Sequence, residues 1–382
     1  MRTVITLGCI LIAFPCSIMS QDSGVDKRFG VSGSFRPVYA WIETVDRHGE
    51  RSREHTLNAR LQIRTEFAIS PEVAFFFRIA GRVSSRQDHM MFVIDDHTPD
   101  DGSYPPGTVT FDEFALSWNL RPDLTVLTGR FQARFPLAGF IPKGIDRYYG
   151  SNLSIGHTDG VWVRWDLHPS WRVHLVGNHN SPGGSTHAAR SPLDFGDPLA
   201  RAGGFVNLEH CEKDGLWVQR ELSVSLLPQS FVRNDKTRNY MAVTSRLVMR
   251  LPWRTDMTEF WIGGEAGYVP VAPSPASAGI EVQESRTLIR SSAIAWQISM
   301  YANNISGRHK IGFLYGQVEP QWLISSSFRP NNTLSEIRYR FTVSDRLNFE
   351  ARCRFRSDLY RPDGADYTRQ DHDFYTRFTW RF

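Results

Sequence analysis

Cysteine is scarce in this chain: four in 382 residues, with Cys9 and Cys16 confined to the extreme N-terminus. The pair that remains, Cys211 and Cys353, is too small a set to read as a disulfide framework. Long apolar runs are also missing. After the first twenty residues no stretch of about 18 apolar residues occurs, so no transmembrane helix is expected. A strong charge of one sign is absent too, since 44 basic and 40 acidic residues leave a net charge of only +4. That balance gives no reason to expect a nucleic-acid partner. No G-x-S-x-G elbow and no H-E-x-x-H metal motif is found. His157 lies close to Asp159 and His372 to Asp373, but such neighbours are what chance supplies among 12 histidines. The chain is therefore read as a non-enzyme, with no cofactor and no metal. The aspartates Asp88, Asp95, Asp96, Asp100 and Asp101 do not meet the spacing of a calcium loop.

The N-terminus has the layout of a secretory signal. Arg2 precedes a short apolar run, Val4 to Phe14, followed by Ser17 and Ser20. Cleavage is expected after Ser20, leaving one domain over 21–382. Lipoprotein processing at Cys16 is the competing reading, and Pro15 beside it fits that poorly. Mean hydropathy is −0.35, a value common in soluble proteins. It does not exclude a membrane barrel, whose strands hide their lipid face at alternate positions.

Alternation is the dominant pattern. Leu57, Ala59, Leu61, Ile63, Thr65 and Phe67 are interleaved with Asn58, Arg60, Gln62, Arg64 and Glu66, which gives one apolar and one charged face on an extended chain. The pattern returns at Val161–Leu167, Ile337–Val343, Leu347–Arg356 and Phe374–Phe382. Short breaks rich in Pro, Gly, Asn and Asp alternate with longer loops, placed at 45–54, 87–108, 133–157, 180–200, 228–236, 269–285, 318–332 and 358–370. Counting segments predicts an all-β, transmembrane antiparallel up-and-down barrel of about sixteen strands, with both termini on the short-turn side. Lipid cannot satisfy an open sheet edge, so such a sheet must close. Closure at that size leaves an aqueous lumen.

The last strand, D-F-Y-T-R-F-T-W-R-F, resembles the assembly signal of Gram-negative outer-membrane proteins, with Phe378, Trp380 and Phe382 at alternate positions. Nearly everything from Phe29 to Phe382 resembles the sixteen-stranded porins. The segment G-R-F-Q-A-R-F-P, Gly129 to Pro136, would end the fifth barrel strand and open the third long loop. The resemblance implies a passive outer-membrane channel for small hydrophilic solutes, surrounded by lipid and lipopolysaccharide. It also implies insertion by the barrel-assembly machinery and a homotrimer. In that family the third loop folds into the lumen, which maps here to about Ala133–His157. Arg134, Lys143, Asp146 and Arg147 are the resulting constriction candidates. The stretch F-P-L-A-G-F lacks the acidic residue of the family's loop turn.

Selectivity in a channel follows from width and lining charge. The expected inward positions supply Arg60, Arg64, Arg78, Arg82, Arg130, Arg338, Arg340, Arg352, Arg354 and Arg356. Either they favour anionic solutes, or they balance Glu66, Glu113, Asp166, Glu336 and Glu350 along the wall. Trp162, Tyr375 and Tyr148 are candidate stacking residues for a substrate-specific channel, the alternative to a general pore. Trp118, Trp165, Trp253, Trp261, Trp296 and Trp380 fall near strand ends, where interfacial belts place them.

Overall fold

The computed structural model describes residues 28–87, 91–92, 107–133, 135, 138–141, 143–146, 158–180, 201–212, 215–233, 236–255, 257–271, 292–325, 327–362 and 364–382. The segment expected to act as a signal, the aspartate loop apart from residues 91–92, Arg134, Arg147, Tyr148 and His157 lie outside them.

Seventeen strands follow one another among the described residues. They are β1 (Phe29–Val45), β2 (Arg51–Ala68), β3 (Val73–Ser84), β4 (Met91–Phe92), β5 (Thr108–Arg121), β6 (Leu124–Phe131), β7 (Thr158–His168), β8 (Trp171–Asn180) and β9 (Arg201–Cys211), then β10 (Trp217–Arg233), β11 (Lys236–Arg254), β12 (Glu259–Val269), β13 (Ala293–Ile305), β14 (His309–Val318), β15 (Asn332–Thr342), β16 (Leu347–Asp358) and β17 (Gln370–Arg381). The two-residue β4 only adds to the edge of β5, in parallel. The other sixteen form a closed antiparallel ring, because β3 pairs directly with β5 and β1 pairs with both β2 and β17. Closure leaves no unpaired edge.

The seam is tight. The amide of Gly33 donates to the carbonyl of Phe382 at 2.8 Å, and the amide of Phe382 donates back at 3.2 Å. A Cβ on Gly33 would lie 2.4 Å from the Phe382 ring, so only glycine leaves room for it.

Alternation sorts the faces as expected. Leu57, Leu61 and Phe67 on β2 are exposed on the outside, while Asn58, Arg60 and Gln62 are buried on the inside. Val161, Trp165, Leu222, Met241, Ile298, Phe313, Ile337, Phe355, Phe378 and Trp380 continue an exposed apolar belt round the ring. Cys353 belongs to this outer face. Two expected long loops are shorter than predicted. Only residues 46–50 separate β1 from β2, and only 234–235 separate β10 from β11. Cross-strand pairing carries both hairpins past the polar residues that suggested loops at 45–54 and 228–236.

The inner face is not uniform. Small residues line β10–β14, among them Ser223, Ser225, Ala242, Gly267, Ala295, Gly312 and Gly316. Two connecting segments, 138–146 apart from 142 and 319–331 apart from 326, lie on that wall. Phe140, Ile141, Ile145, Trp322, Leu323, Ile324 and Phe328 pack with Tyr240, Ala295, Tyr301 and Leu314 in one buried cluster inside the ring. Apolar burial of this kind gains about 25 cal/mol per Å² removed from water.

Candidate functional site

The segment after β6 enters the lumen in two steps. Ala133 and Phe135 first seat on an apolar cluster from neighbouring strands, with the Phe135 and Phe205 rings stacked at 5.2 Å. Residues 138–146 then reach the far wall. The amide of Ala138 donates to Gln219 Oε1 at 2.7 Å, and the amide of Ile145 donates to Glu265 Oε2 at 2.9 Å. Gln297 Nε2 donates to the carbonyl of Lys143 at 3.0 Å. Asp146 is fully buried and accepts from the hydroxyls of Ser223 and Thr244, the latter at 2.5 Å. The aromatic edge of Phe140 meets Tyr301, and Gly139 has a φ of +91°, with no space for a Cβ against the Tyr301 ring. Polar groups of the segment thus find partners on β10, β11, β12 and β13, which lie on a different part of the ring from the strands it connects.

The second inward segment was expected only as a loop at 318–332. Trp322 Nε1 donates to the carbonyl of Ile145 at 2.8 Å, and Ser325 Oγ donates to the carbonyl of Gly144 at 2.8 Å. Tyr240 Oη accepts from the amide of Leu323 at 3.0 Å. The two segments therefore brace each other as well as the wall.

Of the constriction candidates, Lys143 and Asp146 are brought into this buried junction, and Arg134 and Arg147 fall outside the described residues. The Lys143 ammonium lies 3.9 Å from Glu336. Burial pulls its pKa well below the ordinary lysine value; Glu336 opposes this, and Arg354, Arg356 and Arg352 add to it.

The adjoining part of the wall carries the arginines. On β15–β17, Glu350 accepts from Arg338 (3.1 Å), Arg340 (2.9 Å), Arg377 (2.8 Å) and the Tyr375 hydroxyl. Asp373 accepts from Arg352 and Arg354. Glu336 takes Arg338 from its other side at 2.8 Å. Cations outnumber the carboxylates they share. The Arg352 guanidinium lies 3.9 Å over the Tyr375 ring, so that tyrosine is already occupied.

A second charged group sits on β2, β3 and β5. Arg78 grips Asp112 with two bonds of 2.8 Å and reaches Glu113 at 3.0 Å; Arg64 also holds Glu113 at 3.0 Å. Plain alternation would send Asp112 and Glu113 to opposite faces. A bulge opposite Arg78 and Ile79 brings both to the same guanidinium. Arg36, Arg60 and Arg82 form one register row across β1, β2 and β3. Arg130 is buried against Asp159 at 2.9 Å and also donates to the carbonyl of Phe111 on β5 at 3.2 Å. Arg356 Nη2 donates to the carbonyl of Ser327 at 2.9 Å, and so holds the second inward segment.

Other candidates divide. Trp162 packs on Phe131 and Phe135 and donates to His174 at 3.1 Å. Trp118, Trp165, Trp253 and Trp380 are exposed. Trp261 instead lines an internal cavity, which corrects its expected place in an outer belt. Phe355 on the outer face meets His372 edge-on, whereas Asp373 binds the inner arginines, so this His–Asp pair is split between faces.

No protein-family model matches the chain, and no curated protein matches it. Among solved structures it is similar to OprB of Pseudomonas putida, with a TM-score of 0.58 at 9% identity over 94% of this chain and 95% of that one. It is similar to the outer membrane channel DcaP of Acinetobacter baumannii, with a TM-score of 0.55 at 14% identity over 93% and 97%. OmpF of Salmonella typhi, solved with daunomycin, gives 0.52 at 9% identity over 93% and 97%. At these identities the likeness is one of fold: the sixteen-stranded barrel over its full length.

Proposed function

We propose that this chain is an outer-membrane channel that passes small hydrophilic solutes by diffusion and prefers anions. The supporting observation is the two-faced closed ring: an exposed apolar belt outside, and inside a wall where Arg338, Arg340, Arg352, Arg354 and Arg377 share Glu350, Asp373 and Glu336. Backbone pairing is complete round the ring, which is what a sheet in lipid requires. An excess of fixed guanidinium charge in a low-dielectric tube concentrates anions. Arginine keeps that charge across the physiological range. In this reading the short turns face the periplasm, and segments 138–146 and 319–331 narrow the lumen from one side. The resemblances in fold to channels agree with it.

Liposome swelling tests the reading. Vesicles carrying the purified chain should swell in isotonic sugars at rates that fall with solute size. Gluconate should enter faster than a neutral sugar of similar size. Vesicles that stay tight to every solute would overturn the channel assignment.

A further inference from the structure

At the short-turn end of the lumen, beneath Ala138 and Gly139, lies a cavity of about 540 Å³. We propose that it is a second binding station, for small organic carboxylates, below the constriction. The inference rests on the channel reading above and adds to it a ligand class and a place.

The argument starts from which groups in the cavity already have partners. Its carboxylates are engaged. Glu259 accepts from Trp261 Nε1 at 3.2 Å, Glu209 from Gln219 at 3.4 Å, and Glu212 from Arg220 at 3.2 Å. Two donors are not. Asn303 is 4% exposed, lines the cavity, and its Nδ2 has no hydrogen-bond partner. A buried amide left in this state is destabilising until an acceptor reaches it. Lys310 also lines the cavity and makes no hydrogen bond or ion pair with a described residue; its electrostatic neighbours are Arg340 and Glu259.

The register sharpens the point. Lys310 stands directly opposite Arg340 across β14 and β15. Like charges in that position repel unless an anion lies between or beside them. Arg340 has Glu350 at 2.9 Å, whereas Lys310 has no such acceptor among the described residues. The lining groups that lack a partner among the described residues are thus both donors: the Lys310 ammonium and the Asn303 amide. A carboxylate supplies acceptors for both. Trp261 lies on the same lining and offers a flat apolar surface for the organic body attached to that carboxylate.

The test is block of chloride current through single reconstituted channels, with benzoate as probe and acetate and benzyl alcohol as controls. Benzoate should block with saturable, millimolar dependence, acetate at least tenfold more weakly, and benzyl alcohol not at all. Lys310→Gln should raise the half-blocking benzoate concentration at least tenfold, while Lys310→Arg stays within about threefold of the wild type. Trp261→Leu should weaken benzoate block and leave acetate block unchanged. Equal block of wild type and Lys310→Gln, or conduction with no block at all, would overturn the station while leaving the channel intact. Loss of all conduction in the wild type would overturn the channel reading beneath it.

Discussion

The indole of Trp322 fills the space that a side chain at position 267 would need: a Cβ built on Gly267 would lie 2.2 Å from the indole Cη2. The same indole donates to the carbonyl of Ile145. A glycine on β12 thus decides whether one inward segment can seat, and that segment in turn braces the other. Gly316 does the same for Phe328, at 2.9 Å, and Gly312 meets Phe140 at 3.0 Å and Ile141 at 3.1 Å.

Gly267→Leu is therefore expected to push Trp322 off the wall and free the inward segments. Overpacking of this kind costs about 1–3 kcal/mol. Single-channel conductance should rise, and the heat-unfolding midpoint of the barrel in detergent should fall. Unchanged conductance with a lowered midpoint would mean that the segments do not narrow the lumen.

The Asp146 carboxylate tests the same seat from the polar side. Asp146→Ala leaves the Ser223 and Thr244 hydroxyls without their shared acceptor, at about 1–3 kcal/mol for the stranded groups. The open-channel current should become noisier and larger. Asp146→Asn keeps the shape and one acceptor oxygen, and should fall between the alanine variant and the wild type.

Lys143 gives a pH dependence with a definite sign. Its folded pKa is depressed, chiefly by burial. Between that value and about 10.4, the ordinary lysine value, the unfolded chain holds the extra proton. Stability therefore rises with pH through this window. Lys143→Met removes the buried ammonium and leaves Glu336 paired with Arg338. Its unfolding midpoint should exceed the wild type at pH 7, and the advantage should vanish as pH climbs through the window. An advantage independent of pH would remove the ammonium as its cause.

Much of this fold can be read from residue order, and the reasons are local. The faces of β2 follow from period two alone, and Pro, Gly, Asn and Asp mark the short turns. Counting strands puts residues 138–146 in the third long loop, and their inward place is what the porin resemblance implies. What could not be read depends on distant pairs. Asp112 and Glu113 look like residues of opposite faces until the bulge against Arg78 is seen. Trp322, Leu323 and Ile324 follow Pro320 in a stretch that resembles an ordinary loop, and nothing near them in sequence names Gly267, Gly312 or Gly316 as their seat. Alternation puts the arginines on one face of their strands; which carboxylate each one holds depends on the register between strands.

The seam between the chain ends should control assembly. Gly33→Val places a side chain where the Phe382 ring lies, and deletion of Phe382 removes its backbone pairing. Both are expected to lower the yield of the compact, heat-modifiable barrel several-fold on gel electrophoresis, whereas Phe382→Trp should retain most of it. Full yield from the deletion would show that the terminal residue is dispensable.

The most direct measurement is the reversal potential of single channels in a planar bilayer under a tenfold potassium chloride gradient. Discrete ohmic steps whose reversal potential is displaced toward that of chloride are the predicted result. Displacement toward potassium, or a membrane that shows no steps at all, would contradict a water-filled ring lined by surplus guanidinium.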